Sequence, residues 1–408
     1  MTGGAVRPLS GDWGGLRTRL IDAGIVPSAN FVGEVAGNAT GGRNVPGTAN
    51  TGTRYAQQIR FGADLDFNRI AGADGLTGHV FFTDRLGRSL HRDVIGNKIQ
   101  EQEIWGQGQN FRISELSVNY IWGGGLVETK IGFFPFGNDY GVSPQLCNFI
   151  ANNYCGHVQT LSNNSGWVNA PRGSWATWVK LSPQPSYYLM AGVSKVNPSY
   201  TAPVSPNSTY SANGLKMDMS GTTGDIFPVE VGWLHGGTGS PYAGDVKLGG
   251  YVDTSPAADV TDSTWTHRGR YGLYMVLDQF LFRETPEAAR GLSLVATAGI
   301  GDRATAPIPA GVAAGLVYTG PVTGRDQDTV ALGWSRYWVN DRILTGSKTG
   351  YLGYEQQVEL NYGLQLTPWA LFRPAVQYVM NPGAFAATAA SQTWKDALVF
   401  AGQMKLTF

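Results

Sequence analysis

The chain has 408 residues, of which 56 are Gly, 12% are aromatic and only 15% are charged. Glycine therefore stands at roughly twice its usual share and charge well below the roughly 25% typical of soluble domains. Thirty basic and thirty acidic residues cancel, which excludes the basic footprint of a nucleic-acid binder, and a 42% apolar content fits neither disorder nor a bundle of greasy helices.

Met1–Leu9 lacks the charged and apolar regions of a signal peptide, so for an exported chain the numbering would begin near a mature terminus. Residues 1–24 form an N-terminal segment with one short helix: Ser10 or Asp12 caps it, Leu16, Leu20 and Ile21 give an apolar stripe, and Gly24 ends it. After Pro27 the helical period gives way to period two. Residues 54–67 set Tyr55, Ile59, Phe61, Leu65 and Phe67 against Arg54, Gln58, Arg60, Asp64 and Asp66. Residues 77–85 and 174–181 fit either register, which leaves Arg85 dependent on it. In 270–281, Tyr271, Leu273, Met275 and Leu277 oppose Arg270, Tyr274 and Asp278. The stretch between Arg303 and Arg325 is uncharged but broken by Pro307, Pro309 and Pro321, so no segment reads as a transmembrane helix. Val358, Leu360, Tyr362, Leu364 and Leu366 oppose Glu355, Gln357, Glu359, Asn361 and Gln365. Pro374 would remove a ladder hydrogen bond from the next strand. The last strand ends at Phe408, with Leu398, Phe400, Met404 and Leu406 on one face and Gln403, Lys405 and Thr407 on the other.

Alternation predicts strands with one greasy and one polar face, which a soluble sandwich also has. Length and spacing separate the two. About sixteen such segments occur, each near the 9–11 residues a tilted strand needs to cross a bilayer. Short connections (Gly123–Gly125, Ser182–Ser186, Thr367-Pro368) alternate with long ones near 86–110, 136–173 and 197–226. This is the pattern of an all-β, antiparallel outer-membrane barrel spanning residues 25–408, with both termini periplasmic. A barrel of that size encloses an aqueous channel.

Particular motifs add a family. Ser10-Gly11-Asp12-Trp13-Gly14-Gly15-Leu16-Arg17-Thr18-Arg19-Leu20, followed by Ala23-Gly24, resembles the N-terminal signature of the OprB-type carbohydrate-selective porins. Tyr354-Glu355, Glu359, Tyr362, Leu366-Thr367-Pro368-Trp369, Arg373-Pro374, Gln377 and Asn381-Pro382-Gly383 resemble its C-terminal run, and Arg290–Leu294 with Ala298–Asp302 a further block. Ile131–Gly137 resembles the strand entering the third loop. The resemblance implies a sixteen-stranded channel in a Gram-negative outer membrane for passive uptake of monosaccharides such as glucose. It also implies that Phe408 is the terminal aromatic read by the barrel-assembly machinery.

Catalytic and cofactor signatures are absent: there is no G-x-S-x-G, H-E-x-x-H, Walker loop or G-x-G-x-x-G. The five histidines are scattered, and neither a metal nor a cofactor is expected. Asp64 with Asp66, and Glu355 with Glu359, imitate the acid pair of a glycosidase, but a wet lumen needs charged walls in any case. Arg54, Arg60, Arg85, Arg112, Lys130, Arg270 and Arg373 fall on inward positions. There an Arg fork can hydrogen-bond neighbouring sugar hydroxyls, with Glu115, Glu355 and Glu359 holding the forks; ordinary solvated charge is the competing reading. Trp105, Phe136, Tyr140 and Trp167 are candidates for a platform against the C–H face of a pyranose, whereas Trp122, Trp175, Trp233, Trp334 and Trp369 suit the interfacial girdles. Cys147 and Cys155, eight positions apart in a loop, suit a short disulfide made in an oxidising compartment, with two free thiols as the alternative. The expected partners are monosaccharides, outer-membrane lipid and the assembly machinery. The rival readings are a barrel of this class for a sugar acid, polyol or amino acid, a non-conducting scaffold, and a soluble all-β carbohydrate enzyme.

Overall fold

The computed structural model describes residues 8–44, 51–201, 214–237, 240–285, 290–345, 353–385 and 393–408. Part of the predicted 197–226 loop, residues 202–213, lies outside them. Sixteen strands close into one antiparallel barrel in which β1 pairs with β16. They are β1 (Ile25–Asn44), β2 (Gly52–Asp66), β3 (Leu76–Gly87), β4 (Phe111–Trp122), β5 (Val127–Phe134), β6 (Ser174–Gln184), β7 (Tyr187–Val196) and β8 (Gly224–His235), then β9 (Gly244–Ala258), β10 (Thr266–Arg283), β11 (Gly291–Gly301), β12 (Ala310–Thr319), β13 (Thr329–Trp338), β14 (Tyr354–Thr367), β15 (Ala370–Met380) and β16 (Thr393–Thr407). Closure satisfies every edge, the condition for sheet structure in lipid. No described helix is long and apolar enough to cross a membrane.

Period two holds around the wall. Val35, Ile59, Phe61, Leu273, Leu360 and Phe400 face outward and are exposed, the belt expected against acyl chains. The two ambiguous registers resolve: Phe81, Thr83 and Arg85 point inward from β3, and Ser174, Ala176 and Trp178 from β6. Phe82 turns outward and stacks between Phe61 and Phe111. Trp122, Trp233 and Trp334 are exposed on the outer face, and Trp233 stacks on Tyr187 at the short-turn rim with centroids 6.4 Å apart. Pro374 sits inside β15 opposite Gly402, and the ladder to β14 skips the position it would have bonded. One proline fits because its neighbours hold the register on both sides.

The N-terminal helix α1 (Leu16–Asp22) is anchored by Asp12, whose carboxylate accepts from the Thr18 N–H at 2.9 Å. Gly24 follows it at φ +89°, where a Cβ would press on the Asp66 carbonyl at 2.7 Å. The predicted apolar stripe is not a core: α1 has no buried residue and Leu16 is exposed. Hydrogen bonds hold this segment instead. Leu9 N–H donates to the Thr407 carbonyl at 2.9 Å, and the Arg17 guanidinium to the Phe408 carbonyl at 2.9 Å. Both ends of the chain thus meet at the short-turn end of the β1–β16 seam, where Phe408 N–H reaches the Ala29 carbonyl at 2.9 Å.

The apolar core lies inside the barrel. Two long connections fold into the lumen: loop 2 (residues 88–110, between β3 and β4) and loop 3 (residues 135–173, between β5 and β6), which carries the short helix α2 (Gln159–Asn164). Phe149 and Tyr154 of loop 3 pack with Val295, Ala313, Val317 and Ala331 of the wall. Gly315 and Gly333 make room for those two rings, since a Cβ at either would come within 3 Å of one. Leu90, Val94 and Ile95 of loop 2 pack on Ala36, Val379, Ala397 and Val399. Several inward glycines serve this purpose, Gly299 and Gly301 among them: small wall positions accept side chains from loops.

Candidate functional site

Loops 2 and 3 leave between them and the β2–β3 wall a cavity of ≈ 440 Å³, within the range of small-molecule sites. The wall contributes Gln58 and Arg85, loop 2 contributes Gln100, Glu103, Trp105 and Gln107, and loop 3 contributes Asn138, Ser143, Cys147, Asn152, Cys155, His157, Gln159, Ser162, Asn163 and Asn169. Eight of these are Asn or Gln, with one arginine and one glutamate. The Arg85 Nε donates to the Gln58 side-chain oxygen at 2.7 Å, which aims the fork. Trp105 packs edge-on against His91 at 5.0 Å. Burial holds His91 and His157 at about 3 and about 4, so both are neutral at pH 7, and Arg85 and Glu103 are the arginine and the glutamate of the lining.

The loops are positioned by wall carboxylates. Glu359 accepts from the backbone N–H groups of Ile150 and Ala151 at 2.9 and 2.8 Å, and Glu355 from those of Lys98 and Ile99 at 2.7 and 3.0 Å. Glu34 takes the Gln403 amide at 2.6 Å. Glu230 accepts from Gly141 N–H at 2.6 Å and from the hydroxyls of Tyr188 and Tyr274 at 2.6 and 2.9 Å. Asp253 holds Gly166 N–H at 2.7 Å. Loops 2 and 3 also grip each other: Glu103 N–H donates to the Ile150 carbonyl and Asn152 N–H to the Gln100 carbonyl, each at 3.0 Å. Buried carboxylates that accept several N–H bonds are satisfied, so these are structural anchors.

The residues singled out from the sequence divide accordingly. Arg85 and Trp105 reach the cavity. Arg60 lines a neighbouring recess with Glu115; it bonds Glu115 at 3.3 Å and lies 3.5 Å over the Phe81 ring. Lys130 pairs with Glu115 at 2.9 Å and Asp139 at 3.4 Å, and Arg54 with Asp93 at 2.6 Å. Arg112 holds the end of loop 2 through the Gly108 carbonyl at 2.7 Å. Arg270 bonds Asp253 at 2.9 Å, and Arg373 bonds the Cys147 carbonyl at 3.0 Å and Gln403 at 2.9 Å. These last three position loops or their anchors instead of lining the cavity.

Three expectations are corrected. Glu355 and Glu359 hold loop backbone, not Arg forks. Phe136, Tyr140 and Trp167 offer no platform to a sugar: each is at most 1% exposed, packed with Tyr251 and Tyr274 between loop 3 and the wall. Cys147 and Cys155 are free thiols with sulfurs 3.2 Å apart, a hydrogen-bond separation far beyond the roughly 2.05 Å of a disulfide. The loop is instead secured from both sides by Glu359, Arg373 and the burial of Phe149 and Tyr154 against the wall. The hydrogen bond from Cys155 lowers Cys147 to about 7. Sequence reasoning missed the amides of the cavity and the anchors Glu34, Glu230 and Asp253; their inward parity was a signal that could have placed the anchors on the wall, but nothing local tells a loop anchor from a pore lining.

A profile described as "Carbohydrate-selective porin, OprB family" matches residues 50–408. The chain is 32% identical to Porin B of Pseudomonas aeruginosa over 406 residues, covering 91% of this chain and 86% of that protein. The chain belongs to the OprB family of carbohydrate-selective porins. It is also 30% identical to the Putative porin QuiX of Acinetobacter baylyi, over 98% of this chain and 93% of that one. The high-pH structure of Pseudomonas putida OprB superposes with a TM-score of 0.87 at 30% identity, covering 98% of both chains; the low-pH structure of that protein gives 0.61. The porin is thus a sixteen-stranded channel of a Gram-negative outer membrane, its short turns and termini on the periplasmic side and its long loops outside, in a family described as carbohydrate-selective.

Proposed function

We propose that this porin passes neutral monosaccharides such as glucose by facilitated diffusion, with selection at the cavity between loops 2 and 3. The observation that carries the reading is the lining: eight side-chain amides against a single arginine and a single glutamate. Amides both donate and accept, so they replace the water shell of a polyhydroxylated solute without favouring either charge. Each such bond replaces one to water, so its net worth is only about 0.5–1.5 kcal/mol, which biases entry and still permits release. Trp105 supplies an apolar face for the ring.

Liposome swelling with a panel of hexoses, the corresponding sugar acids, polyols and amino acids tests this. Glucose should pass faster than gluconate of the same size and should saturate. Faster entry of the acid would move the porin to the class of anion channels, and no swelling with any solute would make it a scaffold. The same reading treats residues 8–24 as a periplasmic clasp on the barrel seam, supported by the Leu9–Thr407 and Arg17–Phe408 bonds, and Phe408 as the aromatic presented to the assembly machinery. Deleting Phe408 should lower outer-membrane yield in cells while refolding into detergent stays near normal.

A further inference from the structure

Along β13 the inward residues Ser335 and Tyr337 are buried, while the outward Leu332 and Trp334 are exposed to lipid. Arg336 shares the outward parity, which places a cation on the membrane side of the wall. Strand β13 rises from the short turn at 320–328, so Arg336 stands two residues below its long-loop end, at the outer-leaflet boundary. A charge facing hydrocarbon is costly, and long basic side chains relieve the cost by reaching to the interface.

Arg336 is built into a clamp. Its guanidinium lies 3.7 Å over the Tyr354 ring and 5.2 Å from that of Trp338, and those two residues face each other across the β13–β14 ladder. Its Nε is enclosed with no hydrogen-bond partner, and no carboxylate among the described residues lies within ion-pair distance. Elsewhere on the same rim the outward Lys195 of β7 has a counter-ion, Asp225 of β8, at 2.7 Å. Gln356, directly opposite Arg336 in the ladder, adds an amide to the patch. A held, planar fork without its own anion, at the height of lipid headgroups, matches a phosphate group in geometry and charge.

We propose that Arg336, with Trp338, Tyr354 and Gln356, forms a site on the membrane face of the porin for the phosphate of an outer-leaflet glycolipid. The aromatic pair fixes the guanidinium by cation–π contact and stands against the sugar backbone of the headgroup, while the acyl chains run down over Leu332, Trp334 and Leu360.

Native mass spectrometry of the intact porin in neutral detergent, incubated with a bis-phosphorylated diglucosamine glycolipid, tests the site. The wild-type barrel should retain the glycolipid, and Arg336→Gln should retain at least tenfold less while its glucose flux is unchanged, which shows that the variant is folded. Arg336→Lys should fall between, because a point charge replaces the fork. Trp338→Leu should also weaken retention without removing the charge. Equal retention by Arg336→Gln, or equal binding of the dephosphorylated glycolipid, overturns the proposal. Inorganic phosphate displacing the glycolipid at comparable concentration overturns the assignment to lipid, and dissociation of an oligomer by Arg336→Gln without lipid loss gives the patch to a second copy of the chain.

Discussion

Two stretches of the inner wall carry similar side chains and do different work. The wall of β14–β16 and β1 presents Glu34, Glu355, Glu359, Arg373, Gln377 and Gln403, all buried under loops 2 and 3. The wall of β2 and β3 presents Gln58, Arg60 and Arg85 at the edges of recesses beside the loops, with Arg85 itself only 5% exposed. Charge on the covered wall is consumed by loop backbone; on the β2–β3 wall Arg60 pairs with Glu115 and Arg85 with Gln58 at the margin of the cavity. An inward arginine or glutamate in a porin is therefore not a pore residue by virtue of its parity alone. What lies above it decides.

The strongest test of this contrast removes an anchor from the covered side. Glu359→Ala strands the N–H groups of Ile150 and Ala151, and Trp167→Ala opens the aromatic cluster beneath loop 3. Each should cost about 3–5 kcal/mol of loop-3 stability, seen as larger and noisier single-channel conductance with sugar selectivity reduced. If conductance and selectivity both stayed at wild-type values, the covered wall would not be what holds the constriction.

Next comes pH. Burial raises Glu101 of loop 2 to about 7 from an ordinary 4.5. The folded group holds its proton more tightly than the unfolded one, so the loop is at full stability below about pH 4.5 and loses it as pH rises through 7. The full difference is on the order of 3 kcal/mol. Channel noise recorded from pH 4 to 9 should grow over that window, and Glu101→Gln should flatten the profile.

Smaller effects belong to the open side. Arg85→Gln should raise the half-saturating glucose concentration by about tenfold or less, the worth of one hydrogen bond exchanged for one to water, and leave the melting temperature unchanged. Arg270→Gln and Arg373→Gln should reverse that order, disturbing stability before saturation. The smallest concerns the thiols. Cys147 and Cys155 should both be alkylated without reductant, Cys147 first, with a rate that levels off above about pH 7 as its thiolate forms.

Barrel class, strand count, loop asymmetry and the lipid face were legible in the sequence because side-chain direction in a strand follows from parity, and lipid imposes that parity on every strand in turn. The terminal motifs named the family for the same stretches. The site was legible only in part: Arg85 and Trp105 reach the cavity, but Phe136, Tyr140 and Trp167 are sealed between loop 3 and the wall, and Glu34 and Glu230 passed unnoticed. Parity says that a residue faces the lumen. It does not say whether loop 2 or loop 3 covers it there, because the Glu359 contact joins residues 209 positions apart and the Glu355 contact 256. Those long-range bonds, with the glycines that admit loop side chains to the wall, exist only once the barrel has closed. By itself the sequence determined which face of most strands meets water; the strands at 77–85 and 174–181 took their register from the closed barrel. Only the folding of the loops into that water decided which inward residues a solute can touch.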